Sequence, residues 1–236
     1  MKHGKLYLIP TIIGKDTEYT HLPLSVIEAI KNINVFIVEN IRTSRRFIKK
    51  VDKKKDIDNT IFYSYGKHDK INLQEDFLPH IYSGKDIGVI SESGTPCVAD
   101  PGSKIVEFAH NFQVDVIPIV GPSSILLALM ASGMNGQNFA FTGYLPIERK
   151  ESKKKIKELE NICRKTGQTQ IFMETPYRNL QLFENIISVC SGSTRICIAS
   201  NISLEDEVIK TKNVEEWKSE KPNIHKKPTI FLINTI

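Results

Sequence analysis

Three short segments of the chain combine glycine, proline and small hydroxyl residues at a density that is typical of ligand-binding turns. They cover residues 10–14, 93–102 and 121–124. Glycine lets the backbone approach a ligand closely, and the free N–H groups at the start of a helix donate hydrogen bonds to a carboxylate or a hydroxyl. Turn formation alone would explain any one of the three. Their combination favours a binding site built from backbone and small side chains.

Several common catalytic motifs are absent from the sequence. There is no Gly-x-x-x-x-Gly-Lys-Ser/Thr segment and no Gly-x-Gly-x-x-Gly segment, so a P-loop ATPase and the usual dinucleotide fingerprint are excluded. Ser93 lacks the flanking glycines of a nucleophile elbow. The six histidines and four cysteines show no metal-ligand spacing. We therefore expect no metal, and cysteines that remain free thiols in a reducing cytosol.

Basic residues are concentrated in two islands on a chain whose net charge is +5. The first basic island, residues 42–55, holds eight Lys or Arg against Asp52 alone. The second, residues 149–157, holds six against Glu151 alone. Such islands attract the phosphates of a nucleic acid. Because a solvated helix face produces the same pattern, both interpretations stay open at this point.

Apolar runs that resemble strands alternate with helical patterns through most of the chain. The runs at residues 6–10, 35–38, 87–90 and 114–120 are short and continuous, as expected for strands buried on both faces. Each leads through a turn towards a helical segment, which predicts βαβ units and a mostly parallel sheet. Open α/β sheets bind ligands at the carboxyl ends of their strands. We therefore expect the three Gly/Pro turns to meet at that edge.

The pattern changes near residues 142–150 and predicts a second domain. Residues 139–141 resemble a last strand of the first part, so we expect α/β domains at residues 1–143 and 144–236. Consecutive strands late in the chain predict that the second sheet is mixed. The longest apolar run, residues 125–131, is far shorter than the ~20 residues of a membrane span. We expect a cytoplasmic protein without membrane contact.

The order of the turns and strands resembles a known family. The segments that carry the resemblance are Glu92-Ser93-Gly94-Thr95-Pro96 with Asp100-Pro101-Gly102, then Gly121-Pro122-Ser123, then Phe141-x-Gly143-Tyr144-Leu145-Pro146. They are similar to the tetrapyrrole methylase superfamily of S-adenosylmethionine-dependent methyltransferases, and the likeness extends over essentially the whole chain. Within it, the sequence is most similar to enzymes that methylate a cytidine 2′-hydroxyl of small-subunit ribosomal RNA. Departures at Lys15, Asn40 and Ser200-Asn201 fit a diverged paralogue.

The resemblance implies a fold, a cofactor and a set of contacts. It implies two α/β domains with S-adenosylmethionine in the cleft between them, a homodimer, and RNA of the small ribosomal subunit as partner, without DNA. Nine residues are implied to touch the methyl donor: Pro10, Gly94, Thr95, Val98, Ser123, Ser124, Met173, Pro228 and Thr229. Because Thr95 stands where many relatives have an aspartate, we expect no carboxylate contact to the donor there.

Three charged residues are candidates for assisting methyl transfer. Displacement at a sulfonium needs mainly positioning, but a ribose hydroxyl is a weak nucleophile at neutral pH, so a nearby base or cation would help. Glu39, Arg42 and Glu92 follow predicted strands at the ligand edge, although a salt bridge or a loop cap would also explain each. Two alternatives remain open: methylation of a tetrapyrrole-like or other small molecule, and a donor-binding protein without catalysis.

Overall fold

The computed structural model describes residues 3–65 and 71–235 of the chain. These residues form two compact units, Met1–Ser123 and Ser124–Ile236. Each unit is built on one five-stranded sheet with helices packed against it. Within the described residues, no helix combines the length and the apolar character needed to cross a membrane.

The first unit contains a parallel sheet in the strand order β3-β2-β4-β1-β5. Its strands are β1 (Leu6–Ile9), β2 (Val35–Val38), β3 (Ile61–Ser64), β4 (Ile87–Ile90) and β5 (Val116–Pro118). Its helices are α1 (Glu18–His21), α2 (Leu24–Asn32), α3 (Ile41–Val51), α4 (Leu78–Tyr82) and α5 (Ser103–Asn111), and a π-helical turn, Leu73–Phe77, precedes α4. The predicted parallel sheet is confirmed.

The core of the first unit explains why its central strands are apolar throughout. All four residues of β2 and all four of β4 are buried. Alternate side chains enter opposite layers, because successive residues of a strand point to opposite faces. Ile37 joins the cluster around Phe77, whereas Phe36 joins the cluster around Ile30. A continuous apolar run is therefore what a strand covered by helices on both faces requires.

The second unit contains a mixed sheet in the order β6-β7-β10-β8-β9. Its strands are β6 (Phe139–Tyr144), β7 (Thr169–Met173), β8 (Arg195–Ser200), β9 (Val208–Asn213) and β10 (Thr229–Asn234). Its helices are α6 (Ser124–Ser132), α7 (Arg149–Thr166), α8 (Asn179–Val189) and α9 (Val214–Trp217). The pair β6–β7 is parallel and the other three pairs are antiparallel. The predicted mixed sheet is thereby confirmed.

The division between the units lies earlier than the sequence predicts. We expected the boundary after residue 143, but the units divide at Ser123/Ser124. Strand β6 pairs with β7 and is not the last strand of the first sheet. Helix α6 also belongs to the second unit, where the Thr211 hydroxyl donates to the carbonyl oxygen of Ser132 at 2.8 Å. The apolar pattern locates a strand, but the strand's partner depends on contacts that are distant in sequence.

Candidate functional site

The three Gly/Pro turns meet at the carboxyl edge of the first sheet, because the strands that precede them are neighbours in the order β4-β1-β5. The backbone N–H of Thr11, after β1, donates to the carbonyl oxygen of Gly94, after β4, at 2.9 Å. The Thr95 hydroxyl donates to the carbonyl oxygen of Pro122, after β5, at 3.0 Å. The expectation that these turns lie together is confirmed.

Two glycines are required where the turns touch. Gly94 has a φ of +71°, and a Cβ there would lie 3.0 Å from both the carbonyl oxygen of Pro122 and Cγ2 of Ile13. A Cβ on Gly121 would lie 2.2 Å from Cγ of Pro10. A larger residue at either position would push the turns apart. The two glycines therefore allow the turns to touch, which keeps their backbone groups together at this edge of the sheet.

The turn after β4 carries unusual backbone strain. Besides Gly94 and Gly102, Cys97 (φ +66°) and Ala99 (φ +57°) adopt left-handed conformations. Each such non-glycine residue costs on the order of 1 kcal/mol and persists only where its surroundings enforce it. Val98, between the two, is 50% exposed. Strain of this kind clusters at ligand-binding sites.

A pair of carboxyl groups joins this turn to the end of β2. Burial of Asp100, together with a hydrogen bond to Glu39 and the negative charges of Glu39 and Glu92, raises the pKa of Asp100 to about 8. Glu39 Oε1 and Asp100 Oδ2 are both buried, and no donor among the described residues reaches either atom. A proton on Asp100 supplies the missing donor at neutral pH, so that the Asp100 carboxyl group donates a hydrogen bond to Glu39.

Sequence reasoning selected Glu39 but overlooked Asp100. The available indication was the Asp100-Pro101-Gly102 segment, which we used as part of a ligand-binding turn and of the family resemblance, without assigning Asp100 a role. The pairing itself depends on β2 lying beside β4.

The other two catalytic candidates lie at the same edge. Glu92 is exposed after β4, and its Oε1 accepts a hydrogen bond from the Thr43 hydroxyl at 2.7 Å. Arg42 is exposed in the first turn of α3 and forms no ion pair with any described residue. Asn40 is the N-cap of α3, and its side-chain oxygen accepts from the backbone N–H groups of Arg42 and Thr43. The structure thus brings Glu39, Arg42 and Glu92 to the ends of two adjacent strands.

In the second unit, three of the residues implied to touch the donor share one end of the sheet. Met173 ends β7 and is the cross-strand partner of Ile230 in β10, next to Thr229. The carbonyl oxygen of the exposed Pro228 accepts from the backbone N–H of Asn201 at 2.9 Å. Thr229 is buried. Ser123 is the last residue of the first unit, and Ser124 begins α6 in the second.

Part of the positive charge in the basic islands is structural. The Lys55 ammonium group, in a side chain that is almost fully buried, donates to the carbonyl oxygens of Lys31 and Ile33 and to the side-chain oxygen of Asn34. Burial lowers the pKa of Lys55. In the second island, Lys157 pairs with the buried Glu160 at 2.6 Å. Both ammonium groups are thus engaged in contacts within the fold.

The described residues contain no cluster of three or more His, Cys, Asp or Glu side chains arranged to hold a metal ion. The four cysteines are free thiols.

The chain is similar to known methyltransferases both in sequence and in fold. The family Tetrapyrrole (Corrin/Porphyrin) Methylases matches residues 5–218. Ribosomal RNA small subunit methyltransferase I of Buchnera aphidicola subsp. Schizaphis graminum is 30% identical over 98% of this chain and 78% of its own length. The Vibrio cholerae protein of the same name is 27% identical over 97% and 76%. The crystal structure of the methyltransferase CobJ is similar in fold, with a TM-score of 0.62 at 16% identity over 98% of this chain and 94% of that chain.

Proposed function

Because the chain belongs to the tetrapyrrole (corrin/porphyrin) methylase family, we propose that it methylates the ribose 2′-hydroxyl of a cytidine in small-subunit ribosomal RNA. The observation that carries the choice of RNA is the likeness, over nearly the whole chain, to relatives named ribosomal RNA small subunit methyltransferase I. The solved tetrapyrrole methyltransferases are similar in fold at much lower identity. The cytoplasm, where ribosomal RNA is found, is the proposed location, and the homodimer implied by the resemblance is part of the proposal.

The turns of the first unit suit the methyl donor of this family, S-adenosylmethionine. Close packing of the turns at Gly94 and Gly121 brings their backbone groups together at one edge of the sheet, where they can bind a nucleoside with an amino-acid tail. When bound, this donor would supply an electrophilic methyl group, whose carbon a nucleophile attacks while the carbon–sulfur bond breaks and the sulfur leaves as a neutral thioether. We propose that the following residues hold it: Pro10, Gly94, Thr95, Val98 and Ser123 of the first unit, and Ser124, Met173, Pro228 and Thr229 of the second.

Glu92 is the proposed base for the acceptor. The hydrogen bond from Thr43 fixes one carboxylate oxygen of Glu92, and the second can accept the hydroxyl proton as the ribose oxygen gains the methyl group. The positive charge of Arg42, three residues after Glu39, favours the negative charge that develops on the ribose oxygen. Glu39 is held by the proton that it shares with Asp100, so we assign it a positioning role.

The test is transfer of labelled methyl groups from S-adenosylmethionine by the purified chain. Undermethylated small ribosomal subunits and a tetrapyrrole are offered as separate acceptors. We expect label in the RNA, at a cytidine whose 3′ phosphodiester resists alkaline hydrolysis. Label in the tetrapyrrole alone would favour the small-molecule alternative. Donor binding without any transfer would favour a protein that has lost catalysis.

The proposed donor site is tested by two glycine variants. Gly94→Val should weaken binding of S-adenosylmethionine at least about tenfold in calorimetry, because the new side chain pushes the turns apart and the backbone has a positive φ. Gly136→Val is the control, since no atom lies within 4 Å of a Cβ there. Circular dichroism establishes that both variants are folded. Unchanged affinity in a folded Gly94→Val protein would remove this turn from the site.

A further inference from the structure

An open cleft of about 590 Å³ lies in the first unit beside the carboxyl ends of β1 and β4. Ile12 and Lys15 line it from the turn after β1, Arg46 and Phe47 from α3, and Glu92 from the turn after β4. Cavities of about 300–1,000 Å³ are typical of small-ligand sites. The cleft is therefore large enough for one nucleotide, and its lining includes Glu92, the proposed general base.

Three cationic side chains line the cleft, Lys15, Arg46 and Lys50, and the ion pairs in the cleft engage one of them. Lys50 binds Asp16 at 2.7 Å and Glu18 at 3.1 Å. Lys15 and Arg46 are exposed, and neither forms an ion pair with another described residue. An exposed ammonium and an exposed guanidinium that line a cleft are suited to binding a phosphodiester. The cleft can thus hold one or two phosphates.

The remaining groups that line the cleft are suited to binding the nucleobase and the ribose of a nucleotide. Phe47 is half-buried and packs against the core, and together with Ile12 and Ile90 it gives the cleft an apolar wall. Single-stranded RNA is commonly bound by stacking its bases on aromatic rings. The Thr43 hydroxyl and the Glu92 carboxylate, already joined by a hydrogen bond, supply polar partners for ribose hydroxyls.

We propose that this cleft binds the acceptor nucleotide of a single-stranded RNA, with the base on Phe47, phosphodiesters at Lys15 and Arg46, and the ribose at Glu92. The inference rests on the proposed function and adds the residues that select the substrate. A tetrapyrrole with several carboxylates brings more negative charge close to Asp16, Glu18 and Glu92 than one or two phosphodiesters do, which disfavours it in this cleft.

The test measures binding of a fluorescent single-stranded pentaribonucleotide by anisotropy across a range of salt concentrations. Phe47→Leu keeps an apolar side chain but removes the flat ring, and should weaken binding about tenfold. Phe112→Leu, at a partly exposed phenylalanine after α5, is the matched control. Arg46→Ala should reduce the slope of log affinity against log salt by about 0.7, the value for one phosphate contact. Lys31→Ala, at an exposed lysine of α2, should leave the slope unchanged.

The outcomes separate this inference from the function on which it rests. Weaker RNA binding in both cleft variants, with unchanged controls and unchanged donor affinity, supports it. If the wild-type chain methylates ribosomal RNA while Phe47→Leu and Arg46→Ala bind RNA like the controls, the inference is overturned and the proposed function stands. If the wild-type chain neither binds nor methylates RNA, both are overturned.

Discussion

The carboxyl pair at the end of β2 makes a specific prediction for the variant Asp100→Asn. The structure indicates that Asp100 is protonated at neutral pH and donates to Glu39. An asparagine amide offers the same donor but cannot ionise. The groups that face Asp100 are Glu39, Glu92 and, within its own turn, Cys97, whose pKa burial and Asp100 together raise. Replacement by asparagine should therefore preserve the turn and remove its dependence on pH.

The expected magnitude follows from linkage between proton binding and folding. A folded-state pKa of about 8 exceeds the ordinary aspartate value near 4, so the folded chain binds one proton more than the unfolded chain between these limits. The contribution of Asp100 to the free energy of unfolding is therefore greatest in acid. It is lost as the pH rises towards 8, by at most about 1.4 kcal/mol per pH unit. Asp100 is only partly buried, and solvent screening reduces this effect. Between pH 6 and pH 8 we expect the wild type to lose about 1 kcal/mol relative to Asp100→Asn.

The assay is urea denaturation followed by far-ultraviolet circular dichroism at several pH values. The only tryptophan, Trp217, lies in the second unit, so its fluorescence would report on the wrong sheet. Hydrogen exchange in a peptide covering residues 91–103 measures the turn directly, after correction for intrinsic rates. Asp58→Asn, at an exposed carboxylate of the same unit, is the control and should keep the wild-type pH dependence. Parallel pH profiles for wild type and Asp100→Asn would refute a shared proton.

Two further predictions concern buried charges that the fold requires. Lys55→Met should lower the free energy of unfolding by about 2–4 kcal/mol, because three oxygen acceptors lose their donor. Lys53→Ala is the control, and it should change the free energy of unfolding by less than about 0.5 kcal/mol in the same urea denaturation experiment. Glu160→Gln should destabilise the second unit by about 2–3 kcal/mol, because the fully buried carboxylate accepts hydrogen bonds from Lys157, Thr194 and the backbone N–H of Ser191. Trp217 fluorescence measures this change, and Glu158→Gln, at an exposed carboxylate, is the control.

The strands with continuous apolar runs could be predicted from sequence, whereas β3 and β9 could not. Strands β2 and β4 begin and end where their apolar runs do, because helices cover both of their faces. Strand β3 lies at the edge of its sheet and is only partly buried, so its pattern is short and mixed. Strand β9, also at an edge, alternates Lys and Thr on a half-exposed surface. Neither carries the continuous apolar pattern that identified the others.

The same physical distinction applies to the site. The glycines and prolines of the turns were identifiable because their chemistry is local: a positive φ or a close backbone approach demands a particular residue type. The partnership of Glu39 with Asp100 was not identifiable, since it depends on strand order. The burial of Lys55 likewise depends on α2 and the turn after it, and a count of charges along the chain treated it as a surface cation.

The turn after β4 is held in an arrangement that is unfavourable by itself. Two non-glycine residues with positive φ and a carboxyl group with a strongly raised pKa each oppose folding at neutral pH. We propose that the geometry of these three residues serves the ligand. A ligand that binds only the folded turn stabilises it by about 2.7 kcal/mol at one hundred times its dissociation constant, enough to offset two strained residues. Saturating S-adenosylmethionine should therefore protect amides of residues 91–103 from hydrogen exchange in the wild type but not in Gly94→Val. An absence of protection in the wild type would mean that the strain has another cause.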